Sequence, residues 1–212
     1  TNQANGLSFD LDGRLIICEM KTRRITAIDL DGNGATIADR YGERRFNSPN
    51  DLWVDQSGGV YFTDPRYGAT DNIELDGNHV YYITPVTNKI VQVTTNLVRP
   101  NGLVGTTDGR RLYVADHGGG QTFVYDVQSD GRLENQRVFV QQGADGITLD
   151  SKGNLYLTGD DVTIYNPSGI PVGSIAVPEP PANLAFGGIE GTTLFITART
   201  SLYAVKMMVK GQ

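Results

Sequence analysis

Apolar and polar positions along this chain fall into short alternating runs separated by acidic, glycine-rich turns. In the clearest stretch the polar pair Asn50-Asp51 precedes the run Leu52-Trp53-Val54. A turn, Asp55-Gln56-Ser57-Gly58-Gly59, follows, and then a second run, Val60-Tyr61-Phe62-Thr63. Runs of this length, rich in β-branched and aromatic residues and bounded by Asp and Gly, predict strands. The pattern returns. Asn5-Gly6-Leu7 leads to Asp12-Gly13 and Leu15-Ile16-Ile17. Asn101-Gly102-Leu103 leads to Asp108-Gly109 and Leu112-Tyr113-Val114. Asp145-Gly146-Ile147 leads to Lys152-Gly153 and Leu155-Tyr156-Leu157. A weaker copy, Asn183-Leu184, leads to Glu190-Gly191 and Leu194-Phe195-Ile196.

The copies begin at 5, 50, 101, 145 and 183, a period of roughly 45 residues, in the range of propeller blades. Each copy holds a strand, a turn, a strand and one or two further strands, the content of a four-stranded blade. The predicted fold class is therefore all-β, a β-propeller, with residues 1–212 forming one domain. If the blades surround one axis, the Asn or Asp leading each copy forms a ring of acceptor oxygens at one mouth of the channel.

The later strands follow the same alternation. Blade one is predicted over 5–46, with strands at 23–30 and 36–39, and Glu43-Arg44-Arg45 as a solvated loop. Blade two covers 50–98 and carries the longest insertion, Pro65 to Asn78, a loop of the length that often serves function. Its later strands are 80–83 and 89–93. Blade three covers 101–140 and blade four 145–177. Pro178-Glu179-Pro180-Pro181 is a connector, since proline cannot sit in a central strand. Blade five starts at 183 and ends with 201–206. No helix is predicted.

Composition narrows the function. The chain of 212 residues carries a net charge of −6 and no basic cluster, which argues against nucleic acid. No apolar run approaches the roughly 20 residues of a membrane span, so a soluble protein of cytoplasm or periplasm is expected. The single Cys18 excludes an intrachain disulfide and is expected to be a buried, inert thiol. Trp53 is expected in the core and His79 on a surface strand. No Ser/His/Asp arrangement, phosphate loop or zinc spacing is present, and Gly118-Gly119-Gly120 reads as a turn.

Four segments in order, Arg45-Phe46-Asn47-Ser48-Pro49-Asn50-Asp51, Tyr61-Phe62-Thr63-Asp64-Pro65-Arg66-Tyr67-Gly68, Arg99-Pro100-Asn101-Gly102-Leu103 and Ala144-Asp145-Gly146-Ile147, resemble the SMP-30/gluconolactonase/luciferin-regenerating-enzyme family. That resemblance implies a six-bladed propeller that opens lactones with one divalent cation on its axis. By the matching positions, Asn101 and Asp145 are expected as metal ligands. Asn50 is expected on the substrate side of the cation, within reach of it. The family's remaining ligand is a Glu in an N-terminal Glu-Gly-Pro type motif, which this sequence lacks. The five copies then correspond to the family's second to sixth blades, and a chain starting at Thr1 reads as a fragment or as a product with its N-terminus removed.

An all-oxygen set suits Ca²⁺ first, with Mg²⁺, Mn²⁺ or Zn²⁺ as alternatives. Such a cation polarises a lactone carbonyl and acidifies bound water. Asp145 is expected both to hold it and to be the base nearest the attacking water. Asp64, Arg66 and Tyr67 either contact the substrate or form a structural turn, and His117 is a candidate at the same mouth. Asn5 is expected behind the ligands rather than among them. Two alternatives stand beside the lactonase: a non-catalytic binding propeller with a structural cation, and a hydrolase of organophosphate esters. A small lactone is the expected partner. With one blade fewer than the family design, Leu7, Phe9 and Ile16 in the first copy and Leu194, Phe195 and Ile196 in the last are expected to meet water.

Overall fold

A computed structural model describes residues 2–212, so the chain start at Thr1 lies outside the described residues. The fold is all-β, with blades around a common channel. Blade 1 comprises Ala4–Phe9, Leu15–Glu19, Arg24–Ile28 and Gly34–Ala38. Blade 2 comprises Leu52–Val54, Val60–Asp64, His79–Ile83 and Ile90–Gln92. Blade 3 comprises Pro100–Gly105, Arg111–Asp116, Gln121–Val127 and Leu133–Val140. Blade 4 comprises Ile147–Leu149, Leu155–Thr158, Val162–Tyr165 and Pro171–Ile175. Each is a four-stranded antiparallel meander; blade 5 has three strands, Pro181–Gly187, Thr193–Ala198 and Leu202–Lys206. A two-stranded hairpin, Arg40–Tyr41 with Arg44–Arg45, holds the predicted 43–45 loop. Among the described residues no helix is long and apolar enough to cross a membrane.

The repeated acidic turns have a local cause. In blade 2, Asp55 Oδ1 accepts the Ser57 and Gly59 N–H groups at 2.7 and 3.0 Å. In blade 4, Asp150 Oδ1 accepts those of Lys152 and Asn154, both at 2.9 Å. A short carboxylate that satisfies its own turn's donors leaves glycine to take the left-handed position; Gly58 and Gly153 have φ of 85° and 77°. A tyrosine from a neighbouring strand then seals the second oxygen: Tyr82 OH donates to Asp55 Oδ2 at 2.7 Å and Tyr156 OH to Asp150 Oδ2 at 3.1 Å.

Four apolar clusters join the blades in series. Ile16, Cys18 and Ile25 meet Phe62 and Tyr81 between blades 1 and 2. Tyr61 and Tyr82 meet Leu112 and Tyr125 between blades 2 and 3. Tyr113 and Val124 meet Leu149 and Leu157 between blades 3 and 4, and Tyr156 and Val162 meet Leu194 and Ile196 between blades 4 and 5. Closing five blades into a ring takes a fifth such cluster, and none joins blade 5 to blade 1 among the described residues. Instead Leu7 and Phe9 are 57% and 68% exposed on one side of that gap, and Phe195 and Leu202 are 37% and 65% exposed on the other.

The expected exposure is therefore half right. Ile16, Leu194 and Ile196 are buried, because alternate residues of a strand face opposite sides. Phe195 points to the gap, while its two neighbours in sequence point into blade 4. His79 is also a correction: it is buried, with Nε2 3.2 Å from Asp76 Oδ1, because the 65–78 insertion folds down over its strand. Cys18 is buried as expected. Trp53 is half-buried at the channel wall, its ring stacked 5.7 Å from that of Tyr61.

Candidate active site

Strand pairing sets which residues are equivalent. Leu7, Leu52, Leu103, Ile147 and Leu184 each pair with the second strand of their blade, opposite Ile17, Phe62, Val114, Leu157 and Ile196. Two positions earlier stand Asn5, Asn50, Asn101, Asp145 and, in blade 5, Ala182. The fifth polar residue, Asn183, thus sits one place out of register and is the counterpart of Asp51, not of Asn50. Both accept the next residue's N–H on Oδ1, Asp51 from Leu52 at 2.9 Å and Asn183 from Leu184 at 2.8 Å. In blades 1, 3 and 5 the pairing register slips at this point; such bulges re-aim side chains, here into the channel mouth.

The four equivalent polar side chains line one cavity of about 450 Å³, together with Asp51, Asn183 and apolar walls that include Trp53, Leu103 and Phe195. Asn50, Asn101 and Asp145, about 45 residues apart in sequence, all line this cavity, and Asn5 joins them at the exposed edge of blade 1, its Nδ2 3.5 Å from Met20 Sδ.

Hydrogen bonds tie the ring blade to blade. The Gly6 N–H donates to Asn50 O at 2.7 Å. Thr63 Oγ1 accepts the Asp51 N–H at 3.1 Å and donates to Asn101 O at 2.8 Å. Asp51 Oδ2 accepts the Leu103 N–H at 3.3 Å. The glycines after the ring residues are spacers between blades. A Cβ on Gly6 would stand 2.6 Å from Asp51 Cα, one on Gly102 2.6 Å from Asp145 O, and one on Gly146 2.5 Å from Asn183 Cα. Only hydrogen fits where the next blade's backbone passes. Asp51 takes the glycine position in blade 2 and reaches the next blade through its carboxylate. The detectable signal was a carboxylate where three other copies carry glycine.

Asn101 is the most constrained ligand candidate. Its Nδ2 donates to Tyr67 OH at 2.9 Å, while its Oδ1 is buried without a partner. Tyr67 is held in turn by Arg99, whose Cζ lies 5.1 Å from the ring centroid, a cation–π contact. Burial raises the Tyr67 phenol to about 12. Asp145 lies at the open rim, and desolvation by the surrounding walls still raises its pKa, against the Asn101 amide and His117, which lower it. Burial raises Asp51 to about 7, with the Asp145 charge adding to the rise and the two amide donors opposing it.

The other candidates separate. His117 is exposed and lines a second groove that shares Asp145 with the central cavity. Asp64 faces away from the channel: its carboxylate accepts the Asn47 and Ser48 N–H groups, each at 2.7 Å, and so fixes the loop that presents Asn50. Burial raises it to about 7, against those donors and the positive charges of Arg23 and Arg66. Arg66 pins the insertion to itself, with Nη2 2.8 Å from Asn72 Oδ1 and its main-chain N 2.9 Å from Asn78 Oδ1. For Asp64 and Arg66 the structural alternative is the one the contacts support. Among the described residues no three His, Cys, Asp or Glu side chains gather to hold a metal; the oxygen set is one carboxylate with the amides of Asn50 and Asn101.

The sequence profile of the family described as "SMP-30/Gluconolactonase/LRE-like region" matches residues 1–200. The chain belongs to that family. It is 33% identical to a gluconolactonase of Zymomonas mobilis subsp. mobilis over 98% of this chain and 64% of that protein. It is 32% identical to the lactonase drp35 of Staphylococcus saprophyticus subsp. saprophyticus over 79% of this chain and 54% of that one. The chain therefore spans between about half and two thirds of the length of these curated relatives. Among solved structures, a gluconolactonase from Xanthomonas campestris superposes with a TM-score of 0.89 at 31% identity, covering 97% of this chain and 72% of that one. A luciferin-regenerating enzyme, 21% identical, shares the fold with a TM-score of 0.81 over 99% of this chain and 80% of that one.

Proposed function

We propose that this chain forms the reaction centre of a lactone hydrolase that works with a divalent cation at the mouth of the channel. The observation that carries the reading is the Asn101 amide: its nitrogen donates to Tyr67, the amide also reaches the Asp145 carboxylate, and its oxygen is buried without a partner. A buried acceptor without a donor costs about 1–3 kcal/mol, and a cation removes that cost. Asn50, Asn101 and Asp145, which line one cavity, supply hard oxygens only, which suits Ca²⁺ or Mg²⁺ better than a soft metal. When bound, such an ion supplies a Lewis acid for the lactone carbonyl and lowers the pKa of water.

The residues of the chain do the remainder. Asn50, lining the same cavity from the neighbouring blade, orients the substrate. Asp145, whose carboxylate lines the cavity, is the group that takes the proton of the attacking water. The names of the related gluconolactonase and lactonases support the substrate class. The organophosphate-ester and binding-module alternatives draw on no separate observation.

The test is proton release from glucono-δ-lactone, followed in a pH-stat with Ca²⁺ present, after chelation, and after Ca²⁺ is restored. Opening above the spontaneous rate, lost on chelation, recovered on restoration and lost again in Asp145→Asn, is the expected result. A rate equal to the spontaneous one at saturating Ca²⁺ refutes the reading for this chain.

A further inference from the structure

Beside the central cavity a groove of about 750 Å³ opens over blade 4, and Asp145 forms part of both walls. We propose that this groove receives the hydroxyl-bearing arm of the lactone, and that Gln142 is the hydrogen-bond donor that selects it. The inference rests on the lactonase reading and adds the specificity of that site: a neutral, polyhydroxylated lactone, and not its phosphate ester.

Gln142 is fixed at both ends. Its main-chain oxygen accepts Thr122 Oγ1–H at 2.7 Å. Its side-chain Oε1 accepts the Tyr165 hydroxyl, also at 2.7 Å. With Oε1 engaged, the amide orientation is set, and Nε2 with its two hydrogens is turned to the groove. Gly159 lies beside it, within van der Waals reach: a Cβ there would stand 3.4 Å from Nε2. A donor held in place by a tyrosine, with its hydrogens free, binds a hydroxyl oxygen at little ordering cost.

The opposite wall matches that use. Thr163 and Ser174 face each other across paired strands and both line the groove. They add two hydroxyls that donate or accept. Charge decides the rest. Asp145, Asp160 and Asp161 line the groove, all three exposed, with His117 as its one basic side chain and no Lys or Arg. A phosphate dianion placed there would meet three carboxylates against the single His117 ring. A neutral hydroxyl pays no such cost and finds acceptors in the same carboxylates. An arm that starts on a lactone ring seated over Asp145 enters this groove directly, because Asp145 belongs to both surfaces.

The experiment compares glucono-δ-lactone, its phosphate ester and δ-valerolactone, which has the ring without hydroxyls, on wild type, Gln142→Leu, Gln142→Glu and Tyr165→Phe. Gln142→Glu keeps the acceptor for Tyr165 and loses the donor, so it tests the donor without a change of size. Wild type is expected to favour glucono-δ-lactone over its phosphate ester by about three- to tenfold, the size that solvent-screened charges at exposed carboxylates allow. In both Gln142 variants the kcat/KM ratio of glucono-δ-lactone to δ-valerolactone should fall about tenfold, carried by KM, the loss of one well-placed hydrogen bond. Tyr165→Phe should give a smaller fall of about threefold in the same parameter, because Oε1 is released and Nε2 is no longer aimed. Unchanged ratios, ratios that change through kcat alone, or equal rates on the phosphate ester overturn the proposal. If wild type opens neither neutral lactone, the lactonase reading fails by itself. Calorimetric binding of glucono-δ-lactam then judges the groove: about tenfold weaker binding by Gln142→Glu sustains it, and equal binding overturns it.

Discussion

Replacing Gly102 with alanine probes the assembly of the site without touching a side chain of the ring. The new Cβ would stand 2.6 Å from Asp145 O and 2.6 Å from Ile147 Cγ2, where ordinary Cβ contacts lie at 3.4 Å or more. The oxygen belongs to the backbone of the next blade, so no rotamer change relieves the contact. Blades 3 and 4 must part by several tenths of an ångström. Overpacking of this kind costs about 1–3 kcal/mol. The displacement also falls on the residue that carries Asp145, next to the strand that carries Asn101. Sites of this kind tolerate about 0.5 Å, so cation affinity should drop at least about tenfold. Gly173→Ala is the control: its nearest neighbour is Ile164 Cδ1 at 3.8 Å, and its stability should change by less than about 0.5 kcal/mol. Urea unfolding followed by the single tryptophan, Trp53, reads the first quantity and calorimetric Ca²⁺ titration the second. Gly102→Ala with the stability and affinity of the parent would refute the spacer argument and the blade register on which it rests.

Three further outcomes follow from the same contacts. Asp64 has a folded pKa of about 7 against an unfolded value of about 3.9, so its contribution to stability is full below about pH 4 and is lost as pH rises through 7. Asp64→Asn should flatten the stability profile between those limits and cost about 1–3 kcal/mol through the loss of one acceptor for the Asn47 and Ser48 amides; a parallel profile would contradict the assignment. Tyr67→Phe removes the acceptor that orients the Asn101 amide and should weaken Ca²⁺ binding about three- to tenfold in calorimetry, a hydrogen-bond-sized loss, with unchanged affinity as the contrary result. Leu7, Phe9, Phe195 and Leu202 expose apolar surface on the two sides of the gap, so this chain should self-associate with rising concentration in sedimentation experiments, and Phe9→Ser with Leu202→Ser should reduce it; a monomer at all concentrations would show that those faces are tolerated in water.

The period of the repeat was legible because each blade needs the same turn chemistry, and Asp with Gly supplies it at Asp55, Asp150 and their equivalents. The ring was legible for a related reason: Asn50, Asn101 and Asp145 hold the same place before the same strand. The exact register of blade 5 was not, since Ala182 and Asn183 both precede an acceptable strand, and only the pairing of Leu184 with Ile196 decides between them. Burial of His79 depends on how the 65–78 insertion lies, a tertiary matter with no periodic signal. The Tyr67–Asn101 bond spans 34 residues and joins a loop to a strand in another blade, so no local pattern announces it. The same holds for Gln142 and Tyr165, whose partnership appears only once blade 4 has folded.

The central claim is that Asn50, Asn101 and Asp145 hold one divalent cation. Crystals soaked in Mn²⁺ and measured at its absorption edge test it most directly. The account predicts one strong anomalous peak at the channel mouth, within coordination distance of Asn101 Oδ1 and an Asp145 carboxylate oxygen, with Asn50 facing it; with Ca²⁺ in its place those oxygens should lie about 2.3–2.6 Å from the ion. A mouth without a peak, in crystals whose peaks lie only on surface carboxylates, would contradict it.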